Sequence, residues 1–313
     1  MRKYLFFAIA ATVLVSCSKP EMPSVPNEEI VPNTIITYQS FNGKQVIPHY
    51  YNYDTTTFGA IIISNTFQEG SSVAIGTIKF DRPITQIGDN AFYGTYIRSI
   101  TIPDSVTYIG DYAFRATYLA RITLPDSVKS IGKYAFCATS LTSITLPDSV
   151  ISIGAYAFAS NDLFEIILPD SITSIEEGTF SNCFSLRSII FGRNILTIGN
   201  EAFSSTNLSG VEIPDSVISI GAKAFENCEW LGRVVLGKGV KTIGKNAFGK
   251  CKRLLEVYCK AQEPPVLGSE TALGDPQNSV NYKIYVPQGA VDAYKSAWNN
   301  YSEYIVGYDF NAL

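Results

Sequence analysis

One motif repeats eight times between Ile84 and Tyr258, and it constrains the fold more than any other feature of this 313-residue chain. The regular copies read Leu-x-x-Ile-x-Leu-Pro-Asp-Ser-Val-x-x-Ile-Gly-x-x-Ala-Phe, as in Leu141 to Phe158. The phenylalanines that end the copies lie 22 or 23 residues apart: Phe92, Phe114, Phe136, Phe158, Phe180, Phe203, Phe225 and Phe248. A period of this length is typical of a solenoid, in which each coil packs on its neighbours.

The residues of one copy predict the path of one coil. Ile144 and Leu146 alternate with polar residues, which favours a short strand with one face inward. Pro147 and the Asp-Ser that follows it favour a turn. Residues 155–159 have room for one helical turn that ends near the core residue Phe158. We therefore predict an α/β solenoid of about eight coils of 22–23 residues, each with a strand and a helical turn.

The flanking segments have patterns of their own. Residues 34–83 contain strand-like runs around the hairpin dipeptide Asn42-Gly43, and residues 264–313 contain a strand followed by helical spacing at 290–299. The open ends of a solenoid expose apolar surface that must be covered. We expect a β-rich N-terminal cap over 34–83, the solenoid over 84–263 and a strand-helix C-terminal cap over 264–313.

The motif residues resemble the BspA-type leucine-rich repeat family of surface proteins from anaerobic bacteria. The resemblance covers about Ile84 to Cys259 and departs at Glu176, where the glycine is lost, and at Gly192 and Gly237, where the proline turn is replaced. It implies a leucine-rich-repeat solenoid that adheres to host or bacterial surface proteins.

Residues 1–16 have the pattern of a lipoprotein signal peptide. A basic start precedes the apolar run Tyr4–Val15, which is too short to span a bilayer. Leu14-Val15-Ser16-Cys17 resembles a bacterial lipobox, which implies lipidation of Cys17; the alternative is ordinary secretion with an incidental thiol. Residues 17–33 contain four prolines and read as a tether. We expect a protein at the outer membrane or cell surface that contacts the membrane only through this lipid.

Charge and motifs argue against several functions. Without Arg2 and Lys3 the net charge moves from −4 to −6, which gives no electrostatic footprint for nucleic acid. His49 is the single histidine, and neither a metal box nor a phosphate loop is present. We expect a monomer that is not an enzyme and has neither cofactor nor metal.

The outward strand positions form the candidate protein-binding face. Its members are Thr101, Arg121, Thr123, Thr145, Glu165, Ile167, Ile190, Glu212, Arg233, Val235 and Tyr258. The C-terminal half should expose Ile167, Ile190, Val235 and Tyr258, and exposed apolar residues favour partner contact. The alternative is simple β-propensity, because branched residues favour strands in any case.

Three further columns have two interpretations each. Tyrosines form a candidate aromatic edge that either packs as a ladder or contacts a sugar or a protein: Tyr96, Tyr112, Tyr118, Tyr134 and Tyr156. Aspartates of the turns either cap backbone or bind calcium, and we favour capping: Asp104, Asp126, Asp148, Asp170 and Asp215. Cysteines at equal repeat positions favour buried thiols, with a disulfide between the last two conceivable: Cys183, Cys228 and Cys251.

These observations favour a non-catalytic surface lipoprotein whose solenoid binds extracellular or surface proteins. The alternative is a glycan-binding module of a surface polysaccharide-capture system.

Overall fold

The structure is a computed structural model, and it describes residues 33–49, 56–68, 74–278 and 281–310. The expected signal peptide, Cys17 and the tether up to residue 32 lie outside the described residues.

Most coils have two short strands, and strands are numbered along the chain. One row carries the Ile-x-Leu part of the motif: β5 (Ile97–Ile100), β7 (Arg121–Ile122), β10 (Glu165–Ile167), β12 (Ser188–Ile190), β14 (Gly210–Glu212), β16 (Arg233–Leu236) and β18 (Glu256–Cys259). Paired strands within this row are parallel and in register, so equal repeat positions lie side by side. The strand expected around Ile144 is not formed.

The second row carries the residues that end at Ile-Gly. It consists of β4 (Gln86–Ile87), β6 (Tyr108–Ile109), β8 (Ser130–Ile131), β9 (Ser152–Ile153), β11 (Ser174–Ile175), β13 (Thr197–Ile198), β15 (Ser219–Ile220), β17 (Thr242–Ile243) and β19 (Val266–Leu267). These strands form two parallel sheets, one from β4 to β9 and one from β11 to β19.

The repeat phenylalanines form the core spine that the sequence predicts. Successive rings from Phe92 to Phe248 stack with centroids 5.1 to 5.7 Å apart and planes within 12°. All eight side chains are fully buried. Removing this much aromatic surface from water, coil after coil, drives the stacking.

The predicted helical turn is wrong. Within the coil that ends at Phe158, Tyr156 and Ser160 adopt positive φ angles of 57° and 58°, and left-handed residues cannot continue a right-handed helix. Their N–H groups turn toward the next coil instead. Tyr156 N donates to Glu177 O at 2.8 Å and Ser160 N donates to Ser181 O at 2.8 Å. The third side of the solenoid is therefore another inter-coil hydrogen-bond ladder.

The glycine of Ile-Gly permits close approach between coils. A Cβ on Gly154 would lie 2.5 Å from the backbone nitrogen of Lys133 on the preceding coil. No side chain fits at that distance, so the motif glycine belongs to the stacking itself.

The N-terminal segment extends the first sheet. β1 (Ile35–Ser40), β2 (Ile62–Gln68) and β3 (Ala74–Phe80) are antiparallel, and β1 also pairs antiparallel with β5. Phe58 packs 5.9 Å from Phe92, which extends the aromatic core beyond the first repeat.

The C-terminal segment adds β20 (Lys283–Pro287) and β21 (Ile305–Tyr308) in parallel beyond β18. The predicted strand is confirmed, and the predicted helix is present as α1 (Val291–Ala297). Short 3-10 helices occupy Pro276–Asn278, Gln288–Ala290 and Asn299–Tyr304.

Two buried aromatic residues attach α1 to the last coil. The hydroxyl of Tyr294 donates to Ala261 O at 2.9 Å, and the indole of Trp298 donates to Pro265 O at 2.8 Å. No helix among the described residues is long and apolar enough to cross a membrane.

The solenoid has about 10 turns rather than the eight counted from the phenylalanine repeat. One additional turn lies after Phe248, where β19 pairs with β17 and the backbone of Phe248 donates to Ala272 O. This turn has no phenylalanine, so the motif count missed it.

Candidate binding surfaces

The outward face of the first strand row is exposed over most of its length. Thr101, Arg121, Thr123, Thr145, Glu165, Ile167, Ile190, Glu212 and Arg233 are all exposed. Where the strands of this row pair, equal repeat positions align: Glu165 lies beside Ser188, Ile167 beside Ile190, and Arg233 beside Gly210.

Val235 departs from that expectation, because it is only 5% exposed. It lies in register between Glu212 and Tyr258 on the adjacent strands. Tyr258 is itself half-buried, since its ring stacks on Tyr285 at 4.4 Å and the Arg233 guanidinium lies 4.7 Å from its centroid. The expected exposure of Val235 is therefore wrong, because side chains from neighbouring coils enclose a small residue between them.

Ile167 and Ile190 form the exposed apolar centre of the face. They pair in register on β10 and β12 and are 57% and 56% exposed. Beyond them the sheet is interrupted, because β12 and β14 lie on successive coils but belong to separate sheets.

A cavity of about 580 Å³ opens at this interruption. Ile190 and Phe191 line one side, and Glu212 and Arg233 line the other. Phe191 stands where the regular motif has the leucine before proline, and its ring meets Phe203 edge-on at 5.9 Å. The cavity thus combines an apolar side with opposite charges within one recess.

The tyrosines of the candidate aromatic edge form two separate stacks. Tyr112, Tyr134 and Tyr156 stack with centroids 5.0 and 4.9 Å apart. Tyr96 and Tyr118 stack at 5.7 Å, and Phe41 stacks on Tyr118 at 4.6 Å.

In these two stacks, most ring faces contact a neighbouring ring and are not accessible to a ligand. Tyr134 has a ring on each side, and a Cβ on Gly178 would lie 2.1 Å from the Tyr156 ring, so Gly178 covers the end of that stack. Burial raises the pKa of Tyr134, and burial together with a hydrogen bond to Glu177 raises that of Tyr156. What remains available is mainly ring edges and hydroxyl groups.

The family model for the BspA-type leucine-rich repeat region matches residues 34–163 and 151–263, with six copies of the repeat. The chain belongs to the BspA-type leucine-rich repeat family.

Several solved structures are similar to this BspA-type protein. A leucine-rich cell surface protein from Faecalibacterium prausnitzii is 25% identical, with 72% of this chain and 68% of that chain covered and a TM-score of 0.48. A leucine-rich repeat protein from Bacteroides ovatus is 21% identical, covering 78% and 90%, with a TM-score of 0.32. The pneumococcal vaccine antigen PcpA is 18% identical, covering 73% and 72%, with a TM-score of 0.42. No curated protein matches this chain.

Two aspartates of the BspA-type turns accept backbone hydrogen bonds, but from the next coil and not from their own turn as expected. Asp170 accepts from Arg193 N at 2.8 Å, and Asp215 accepts from Lys238 N at 3.0 Å. The hydrogen bond from Lys238 holds the pKa of Asp215 below its usual value. Both capped residues lie on the following coil, so these aspartates tie successive coils together. Across the described ranges, no cluster of three or more His, Cys, Asp or Glu side chains is arranged to hold a metal ion.

The cysteines behave as buried thiols, and the five described ones are free. Cys183, Cys228 and Cys251 each donate to the carbonyl of the repeat phenylalanine on the preceding coil at 3.2 Å. Burial raises the pKa of Cys183 to about 12, and the hydrogen bond with Cys228 together with burial raises that of Cys251. These groups serve packing.

The sequence reasoning missed a ridge formed by longer loops. In the three loops that contain these cysteines, the next leucine lies six positions after the repeat phenylalanine, whereas in the other loops the equivalent leucine or isoleucine lies five positions after it. The extra residue leaves Phe184 and Trp230 exposed, and Arg253 lies over Trp230 with its guanidinium 3.8 Å from the ring centroid. The change from 22 to 23 in the repeat spacing was the available signal.

Proposed function

We propose that this protein is a non-catalytic, lipid-anchored surface protein whose first strand row binds other proteins. Two observations support the proposal. The BspA-type family consists of surface repeat proteins, and a stacked solenoid presents a long continuous face.

The proposed binding face rests mainly on one observation, the exposed pair of Ile167 and Ile190. Exposed apolar residues that adjoin a recess and are bordered by charges are typical of a protein contact, where an apolar centre is surrounded by a polar rim. Glu212 and Arg233 supply opposite charges beside the pair. The recess offers a place for one partner side chain, and the flat row around it offers the remaining contact area.

The binding test uses two variants and a matched control. Ile167→Glu and Ile190→Glu place a charge at the apolar centre, and Ile151→Glu places one at an equally exposed isoleucine next to the second strand row. Binding of the purified chain is measured against a panel of extracellular-matrix and bacterial surface proteins. We expect at least about a tenfold loss of affinity for the first two variants, because central interface residues dominate binding, and no change for the control. Equal affinities for all variants toward every bound protein would exclude this face.

Membrane attachment through Cys17 has its own experiment. Cells expressing the full chain or Cys17→Ser are fed an alkyne fatty acid and then fractionated. We expect label and outer-membrane location for the parent chain and loss of both for the variant. An unlabelled parent chain would show that the segment is an ordinary secretion signal.

A second candidate function is a glycan-binding module, favoured by the exposed rings of Tyr96 and Tyr118. In this case, affinity would reside on the aromatic edge. Unchanged glycan binding in Tyr134→Ala and Tyr156→Ala would exclude the three-ring stack, and Tyr96→Ala would test the other stack.

A further inference from the structure

A small recess lies among the loops that precede the strands of the first row, and none of its lining residues belongs to the proposed protein-binding face. It has a volume of about 340 Å³ and is lined by Arg187, Asn207, Ser209 and Trp230. Its origin is the loop length. Leu208 lies five positions after its repeat phenylalanine, whereas the loops on the two adjacent coils are one residue longer, and the recess forms where the shorter loop lies between them.

Trp230 forms one wall of this recess, and contacts with the following coil hold its loop in place. Its indole is half exposed, and the guanidinium of Arg253 from the following coil lies 3.8 Å from the ring centroid. Arg253 belongs to the coil that follows Trp230, whereas Asn207 belongs to the coil that precedes it. An ion pair between Lys252 and Glu229 at 2.6 Å ties the same two loops together. Trp230 thus lines the recess with one face of its ring covered by Arg253.

Arg187 brings an uncompensated positive charge to the opposite side. It makes no ion pair within the part of the chain that the structure describes. A guanidinium that lines a recess without a carboxylate partner is suited to a charged acceptor on a ligand, since such hydrogen bonds are among the strongest in proteins.

We propose that this recess binds a saccharide unit that carries a carboxylate. An indole face matches the apolar C–H face of a pyranose ring, the amide of Asn207 and the hydroxyl of Ser209 match sugar hydroxyls, and Arg187 matches the carboxylate. The recess is at the lower end of the volumes that hold small ligands, which suits one or two sugar units. This site does not depend on protein binding by the strand face, and it differs from the tyrosine stacks, whose ring faces are largely covered.

Titration of the full chain tests the proposal. The acidic probes are tetragalacturonate and sialyllactose, which present a carboxylate from two kinds of sugar, and lactose and galactotetraose are their neutral counterparts. Binding is followed by calorimetry and by tryptophan emission, in which Trp230 is the exposed fluorophore and Trp298 is buried. We expect at least one acidic probe to bind and shift the emission, with its neutral counterpart weaker by about tenfold or more.

Variants separate the roles of the two walls. Trp230→Ala should abolish saccharide binding, and Arg187→Gln should remove the preference for the acidic probe while keeping weak binding of the neutral one. Phe164→Ala, an exposed aromatic residue that does not line the recess, is the matched control and should bind as the parent does. Circular dichroism confirms that each variant is folded.

Three outcomes would overturn the inference: no binding of either acidic probe, undiminished affinity in Trp230→Ala, or an equal loss for acidic and neutral probes in Arg187→Gln. Tight binding of hexaglutamate that needs Arg187 but not Trp230 would also overturn it and assign the recess to acidic peptides. Ile167→Glu should leave saccharide affinity unchanged, so failure here is distinguishable from failure of the strand-face proposal.

Discussion

Val235 and Ile167 occupy the same outward position of the repeat. Substituting each with glutamate tests whether the burial of a side chain at this position depends on the residues of the neighbouring coils. Val235 is 5% exposed, whereas Ile167 is 57% exposed. A sequence-based view treats the two substitutions as equivalent changes at the surface. The structure predicts that one damages the fold and the other leaves it intact.

The magnitude follows from what each substitution removes and introduces. Val235→Glu loses the burial of a valine side chain, roughly 2 kcal/mol, and introduces a carboxylate that costs about 1–3 kcal/mol more when poorly paired. Lys260 lines the same cavity and offsets part of the second cost. We therefore expect a destabilisation of about 2–5 kcal/mol for Val235→Glu. Ile167→Glu should cost less than about 1 kcal/mol, since it changes an exposed strand residue.

Urea unfolding followed by circular dichroism measures both variants against the parent. The expected result is a clearly lower midpoint for Val235→Glu and nearly the parent midpoint for Ile167→Glu. Val235→Thr is the control for polarity without charge and should fall between them. A common unfolding midpoint for both glutamate variants would show that Tyr258 and its neighbours do not enclose Val235.

Three further predictions concern stacking. Phe158→Ala should destabilise the fold by about 3–5 kcal/mol, because it leaves a gap in a continuous ring stack, and a parent-like urea midpoint would contradict the role of the spine. Gly154→Ala should cost about 1–3 kcal/mol, since its Cβ would approach Lys133 N to 2.5 Å; an unchanged melting temperature would show that the coils can separate without penalty. Asp215→Asn should lower stability at neutral pH but not in acid. The pKa of Asp215 is lower in the folded protein than in the unfolded chain. The ionised carboxylate therefore stabilises the fold above the unfolded-state pKa, and this stabilisation is lost as the pH falls through the folded-state pKa. Melting curves of the parent chain and Asp215→Asn from pH 7 to below the ordinary aspartate pKa should therefore converge, and a gap that persists in acid would contradict the assignment.

The parts of the fold that the sequence predicted correctly are those that repeat. A phenylalanine at every 22 or 23 residues can be buried in each coil only if the rings align, and Phe136, Phe158 and Phe180 do align. The thiols of Cys228 and Cys251 are buried for the same reason, since equal positions share one environment. Periodicity is a strong signal because each coil supplies independent evidence for the same geometry.

The parts that the sequence did not predict depend on backbone conformation or on single neighbours. The left-handed residues of the third side include Tyr156 and Lys223, types that give no sign of positive φ, so a helical turn seemed the natural interpretation. Val235 is enclosed by a tyrosine one coil away that has no counterpart in the earlier repeats. The interruption between β12 and β14 likewise has no signature in the hydrophobic pattern.

In a repeat protein, the residues that recur serve stacking, and those that break the pattern are available for recognition. The serine of the turn illustrates the first class: Ser149 donates to Val128 O at 2.7 Å, and its equivalents do the same on other coils. Phe191 and Trp230 illustrate the second, because each stands at a single irregular position and borders a cavity. Substituting a recurring residue should thus change stability without selectively affecting a ligand, whereas substituting an exposed irregular residue such as Trp230 should change binding without unfolding the chain. This division predicts that function in this solenoid is concentrated around the coils of residues 187–235, where the loop lengths alternate and the first strand row is interrupted.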